Sequence, residues 1–173
     1  GGLVLLPTET VYGIAADPRQ KQAMQKLYEV KGREARKPVA FFIVRADQAE
    51  ALGACWSSAA ERLADRHWPG PLTLVLPAHD GGAPKGFRMP DYRPALELVR
   101  RFGPLAVTSA NRSGEKDALT AQEAQRIFGE QLAVYLDAGP SEGGIPSTVV
   151  QVMPDGSTRV LREGAIASDA LYR

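Results

Sequence analysis

Apolar residues along this chain fall into short runs separated by polar stretches rich in glycine and proline. Residues 3–6 form a brief apolar run ended by Pro7, which predicts a buried strand. Over residues 19–30, Ala23, Met24, Leu27 and Val30 recur at helical spacing and predict an amphipathic helix. Residues 39–44 are continuously apolar and read as a central strand. Helices are expected over 47–53 and 57–67, the second with Ser57 as N-cap. Residues 72–76 read as a strand bracketed by Pro71 and Pro77. Pro94 opens a helix that runs to Phe102 and stops at Gly103. A strand follows over 105–108, and a helix over 120–128 with Thr120 and Glu123 spaced as a capping box. The last elements are strands at 133–136, 148–152 and 159–161.

Helices and strands alternate without the steady spacing of a doubly wound fold, and several strands succeed one another near the C-terminus. The expected class is α/β: a single domain with a mixed, strongly twisted sheet and helices packed on it. At 173 residues a second full domain would be cramped. Glycine and proline together make up 30 residues, above the usual share, so much of the chain is shaped loop. The net charge of +1 excludes a polycationic tail or an acidic disordered protein. That sum hides a cancellation: residues 19–37 hold seven basic and two acidic residues, on an otherwise mildly acidic body. Cys55 is the one cysteine and has no disulfide partner, which suggests a reducing, cytoplasmic setting. It is read as a buried small hydrophobe. No apolar run has the length of a membrane span and no signal peptide is evident, so no membrane partner is expected. The chain enters an apolar run directly after Gly1-Gly2, so its first residue is not expected to be the natural start.

Familiar catalytic motifs are missing. The stretch 81–86 has the wrong spacing for a phosphate loop, with Phe87 where Ser or Thr should follow, and reads as a flexible surface loop. His67 and His79 show no metal-ligand spacing, and no metal site is expected; His67, at a helix end, suits capping or packing. No nucleophile elbow is present.

Four polar segments stand where apolar strands end. Residues 7–13, P-T-E-T-V-Y-G, offer hydroxyls, a carboxylate and a glycine, although a plain turn explains them equally well. Residues 31–38 carry Lys31 and Arg33 two apart around Gly32, a pair suited to phosphate or simply a solvated basic turn. Ser109 and Asn111 follow a strand and either donate to a ligand or hold an Asx turn. Small residues from Gly143 lead to Ser147, read as exposed at the start of a strand or as part of a hairpin connection. Together these segments suggest an anion-binding cleft built from Lys31, Arg33, Ser109 and Asn111.

In this order the segments resemble the YrdC/TsaC family, the threonylcarbamoyl-adenylate synthases. The resemblance runs through P-T-E-T-V-Y-G at 7–13, K-G-R at 31–33 with Lys37-Pro38, P-G-P-x-T at 69–73 and R-M-P at 88–90. It continues through S-A-N-x-S-G at 109–114, S-T-V-V at 147–150 and L-R-E-G at 161–164. It implies a twisted, YrdC-like sheet with a concave positive face, spanning 1–173 as the short, single-domain branch without its first N-terminal helix. It implies that L-threonine, bicarbonate and ATP give threonylcarbamoyl-AMP and pyrophosphate, feeding a downstream threonylcarbamoyl transferase complex in the N6-threonylcarbamoyladenosine modification of tRNA. By the same resemblance Lys31, Arg33, Ser109 and Asn111 form a catalytic tetrad at the nucleotide. Lys37 and Arg162 join it in binding ATP, while Thr10, Arg88 and Ser147 bind threonine. Mg2+ is expected to arrive with ATP. Phe42 and Tyr92 stand where family members often have histidine. The reading from another class is a module binding double-stranded RNA or tRNA in the same basic concavity; a third is a carbamoyl-adenylate domain like those of hydrogenase maturation proteins, whose zinc-finger segments are missing here.

Overall fold

The computed structural model describes residues 1–32 and 39–172. Its centre is a nine-stranded mixed sheet. In chain order the strands are β1 (Val4–Leu6), β2 (Gly13–Ala16), β3 (Ala40–Phe42), β4 (Leu72–Leu76), β5 (Lys85–Arg88), β6 (Leu105–Ser109), β7 (Val134–Tyr135), β8 (Thr148–Val152) and β9 (Thr158–Arg162). In space they run β7-β1-β2-β6-β3-β5-β4-β8-β9. Pairing is parallel for β1 with β7, β3 with β5 and β4 with β8, and antiparallel elsewhere. Five α-helices lie among the described residues: α1 (Lys21–Lys31), α2 (Asp47–Ala51), α3 (Ser58–His67), α4 (Arg93–Phe102) and α5 (Ala121–Phe128). The expected mixed α/β class is the observed one. Among the described residues no helix is long and apolar enough to cross a membrane.

Strand alternation divides the sheet into a covered and an open face. Leu5, Ile14, Ala16 and Ala106 pack under α1 and α5 in one core. Leu72, Leu74, Leu76, Phe87, Val150 and Val152 pack with α2 and α3 in a second. The intervening residues turn the other way. Leu6, Ala15, Phe42 and Val107 meet Ala95 and Val99 of α4, which covers only part of that face. The rest of it, beyond Thr73, Val75, Gly86, Arg88 and Val149, stays open as a cleft.

Local signals act as the sequence predicts where they are self-contained. Ser57 Oγ accepts from the Ala60 amide and starts α3. Thr120 Oγ1 accepts from Glu123 N, and Glu123 Oε2 reaches back to Leu119 N rather than to the Thr120 amide. Gly103 (φ 86°) ends α4 and Gly32 (φ 60°) ends α1. Several expectations are corrected. β2 is fully buried, yet Gly-Ile-Ala-Ala has a single β-branched residue and none of the alternation that marks a strand. The supposed loop at 81–86 ends inside β5, where Lys85 and Gly86 pair with Leu76 and Val75. Cys55 is only partly buried, its Sγ 3.3 Å from His79 Nδ1. His67 does pack, its Nε2 3.0 Å from the Leu171 carbonyl oxygen.

Candidate functional site

The open face forms a cleft of about 260 Å3. Its floor is the outward row of the central strands: Ala40 and Phe42, Thr73 and Val75, Gly86 and Arg88, Val107 and Ser109, and Val149. Its rim comes from residues before β2, from Pro146 and Ser147, and from Leu161 and Arg162 of β9. A ligand is thus met by strand ends and the connections that leave them, the usual placement of sites on open sheets.

At one end lies the basic group. Lys31 is the last residue of α1, and Gly32 turns the chain away immediately after it. The side chain is only 1% exposed. Its Nζ donates to the Ser109 carbonyl at 2.7 Å and to Asn111 Oδ1. Ser109 Oγ donates to the same Asn111 oxygen at 2.9 Å, and Asn111 Nδ2 donates to the Glu115 carbonyl at 2.6 Å. A buried ammonium, a hydroxyl and an amide 80 residues apart in sequence are thereby fixed in one cluster. Arg33 and Lys37 lie outside the described residues.

At the other end Arg88 closes β5. Its guanidinium lies 5.7 Å over the Phe42 ring. Nη2 donates to Glu9 Oε1 at 2.7 Å and to Thr10 Oγ1 at 3.0 Å, and Nε donates to the Gly70 carbonyl at 3.3 Å. Burial pushes Arg88 down from the ordinary guanidinium value, opposed by the Glu9 carboxylate. The Thr8 and Thr10 hydroxyls are 2.9 Å apart. Thr10 is itself buried and reaches the cleft through Arg88.

The third wall corrects the expectation that Ser147 is exposed: it is buried, its Oγ 2.8 Å from Thr73 Oγ1. Arg162 donates to the Ser147 carbonyl through Nη2 at 2.7 Å and through Nε at 3.3 Å. A bulge brings Arg162 there. β8 and β9 shift register between Val149 and Val150, so Arg162 pairs with Val149 and Val160 with Val150. Thr148 Oγ1 clamps the following turn, donating to the Ile166 carbonyl and accepting from Gly164 N and Ile166 N.

Set beside known proteins, residues 1–164 match the Sua5/YciO/YrdC family model, whose description is telomere recombination. The chain belongs to the Sua5/YciO/YrdC family. A curated Mycobacterium tuberculosis relative is 38% identical over 179 residues, covering 99% of this chain and 82% of its own length. The threonylcarbamoyl-AMP synthase of Bacillus subtilis is 36% identical over 98% of this chain and 51% of its own. Pyrococcus abyssi Sua5, solved in complex with L-threonine, superposes with a TM-score of 0.87 at 35% identity, over 94% of this chain and 50% of that one. The chain thus spans about half the length of the Bacillus and Pyrococcus proteins. The family resemblance read from the seven segments and the mixed α/β sheet it implied are borne out.

Within this family member, Ser109, Arg88, Ser147 and Arg162 of the residues the motifs singled out line one cleft, with Lys31 and Asn111 bonded to Ser109 and Thr10 held behind Arg88. Three participants were missed as individuals. Glu9 and Thr73 sit inside quoted motifs without a role, and Phe42 was noted only as a replacement. Their signal is three-dimensional: each touches Arg88 or Ser147 from a segment distant in sequence.

Close packing of the rim yields one test. A Cβ on Gly164 would lie 2.2 Å from the Pro146 carbonyl oxygen and 2.6 Å from the Ser147 carbonyl carbon. Gly164→Ala is expected to displace Ser147 and to lower stability by about 1–3 kcal/mol. A thermal melt should show the loss, and a cleft ligand that touches Ser147 should bind more weakly.

Proposed function

We propose that this chain is a threonylcarbamoyl-AMP synthase. It converts L-threonine, bicarbonate and ATP to L-threonylcarbamoyladenylate and pyrophosphate, and its product serves the N6-threonylcarbamoyladenosine modification of tRNA through a downstream transferase. The observation that carries this reading is the cleft itself, which sets a buried lysine–serine–asparagine cluster at one end and a buried, partly engaged arginine at the other.

The chemistry suits that division. The threonine amine condenses with bicarbonate to a carbamate, releasing water. A carbamate oxygen then attacks the α-phosphorus of ATP in line, and pyrophosphate leaves. Negative charge grows on the transferred phosphate and on the leaving group, so preorganised donors are the chief catalytic device. Lys31, with Ser109 and Asn111, supplies donors for the nucleotide phosphates, joined by Arg33, Lys37 and Arg162. Arg88 binds the threonine carboxylate, with Thr10 behind it and Ser147 beside it. Mg2+ comes with ATP as part of the substrate. Carbamates decompose in water, so holding the reactants adjacent matters more than a strong base.

The protein should release pyrophosphate from ATP only when threonine and bicarbonate are both present. Release indifferent to threonine overturns the reading. No release at all overturns it too, and together with RNA affinity that falls steeply with salt it is the result expected of a double-stranded RNA-binding module instead.

A further inference from the structure

The ion pair behind the cleft has an asymmetry that the synthase reaction alone does not require. A guanidinium carries five N–H donors. In Arg88 the Nε donor and both Nη2 donors are engaged by Gly70, Glu9 and Thr10. Nη1 has no partner among the described residues, and the side chain lines the cleft. Neither two-nitrogen edge of the guanidinium is therefore fully open, and an anion entering here meets one nitrogen.

The charge on that nitrogen is also offset. Glu9 Oε1 accepts from Arg88 Nη2 at 2.7 Å and from the Asp91 amide at 3.1 Å, while Glu9 Oε2 is buried with no hydrogen-bond partner. Leaving a carboxylate oxygen without a donor is costly, so support of the Arg88 rotamer alone is a poor account of a glutamate here, where a glutamine oxygen could accept the same two bonds. What glutamine lacks is the charge. Arg162 lines the same cleft, and its field acts on Arg88. Without Glu9, two cations would face one space, an arrangement that attracts polyphosphate.

Resting on the reading of Arg88 as the threonine-carboxylate ligand, we infer that Glu9 is a specificity-determining positioning residue. It holds Arg88 with one nitrogen facing the cleft and cancels its charge, so that this end accepts a monoanionic carboxylate and excludes polyphosphate. The cleft can then hold an amino acid and a nucleotide at once, without a second triphosphate occupying the amino-acid end.

Inorganic tripolyphosphate is the probe, followed by calorimetric titration of the whole protein with and without L-threonine. The wild-type protein should bind one tripolyphosphate per chain, unaffected by threonine. Glu9→Gln should bind a second, displaced by threonine, and roughly tenfold tighter than any binding at that end in the wild type. Glu9→Asp, which keeps the charge, should retain the wild-type stoichiometry, and melts of each variant establish that it is folded. A single threonine-independent site in Glu9→Gln overturns the inference, as does an Arg88-dependent second site in Glu9→Asp equal to that in Glu9→Gln. The underlying assignment fails separately, when Arg88→Ala leaves threonine binding unchanged.

Discussion

Replacing Lys31 with methionine should reduce threonine-dependent pyrophosphate release by roughly two to three orders of magnitude, the usual effect of removing one preorganised donor from a developing negative charge. Methionine is nearly the same length and suits the buried stem, so packing around the end of α1 is largely kept. What disappears is the ammonium, which donates to the Ser109 carbonyl and to Asn111 Oδ1. Asn111 Oδ1 keeps the Ser109 hydroxyl as a donor, and the Ser109 carbonyl keeps the Asn111 backbone amide at 3.0 Å. Losing hydrogen bonds from a charged donor costs about 1.5–3 kcal/mol each, which a domain of ordinary stability survives. The variant should therefore melt a few degrees lower but cooperatively, with native far-ultraviolet dichroism. Near-normal turnover in a folded Lys31→Met protein would place the phosphate chemistry elsewhere in the cleft.

The second large effect is expected at Arg88. Arg88→Ala should raise the threonine KM by about a hundredfold, because a buried, charge-assisted contact to a carboxylate is lost. The thermal stabilisation produced by saturating ATP should remain, since the nucleotide is assigned to the other end of the cleft. Stability should fall by about 3 kcal/mol, since Glu9 is left without its cation and Thr10 without a donor. Arg88→Lys restores a charge but not the fork that reaches Glu9, Thr10 and Gly70 together, so it should recover only part of the affinity. Steady-state kinetics in threonine at saturating ATP, paired with melts in ATP alone, separate the two substrates. Equal losses for both would mean that Arg88 holds the cleft together rather than binding one of them.

The elements differ in how far the sequence betrayed them. Strand β4 and helices α3 and α5 were legible because their signals are local: proline brackets, a serine cap, a threonine three residues before a glutamate. Strands β2 and β5 were not. Gly-Ile-Ala-Ala and Lys-Gly-Phe-Arg have no strand pattern of their own and are extended because neighbours on both sides pair with them. The site divides similarly. The motifs named Lys31, Ser109, Asn111, Arg88, Thr10, Ser147 and Arg162 by resemblance, with Arg33 and Lys37 falling outside the described residues. That Ser147 is buried against Thr73, that Thr10 stands behind Arg88 and that Glu9 pairs with it are contacts between segments 70 or more residues apart.

Taken by itself, the sequence determined the family, the α/β class, most element positions and the identity of the polar residues, because composition, periodicity and ordered motifs are properties of neighbours along the chain. Which face of the sheet stays open was decided only in three dimensions, by where α4 stops covering it. The register shift between β8 and β9, a property of how two strands pair rather than of either one's sequence, brings Arg162 over the cleft. The Glu9–Arg88 pair was likewise settled by folding, for a carboxylate and a guanidinium 79 residues apart have no way to signal in sequence that one will be buried against the other.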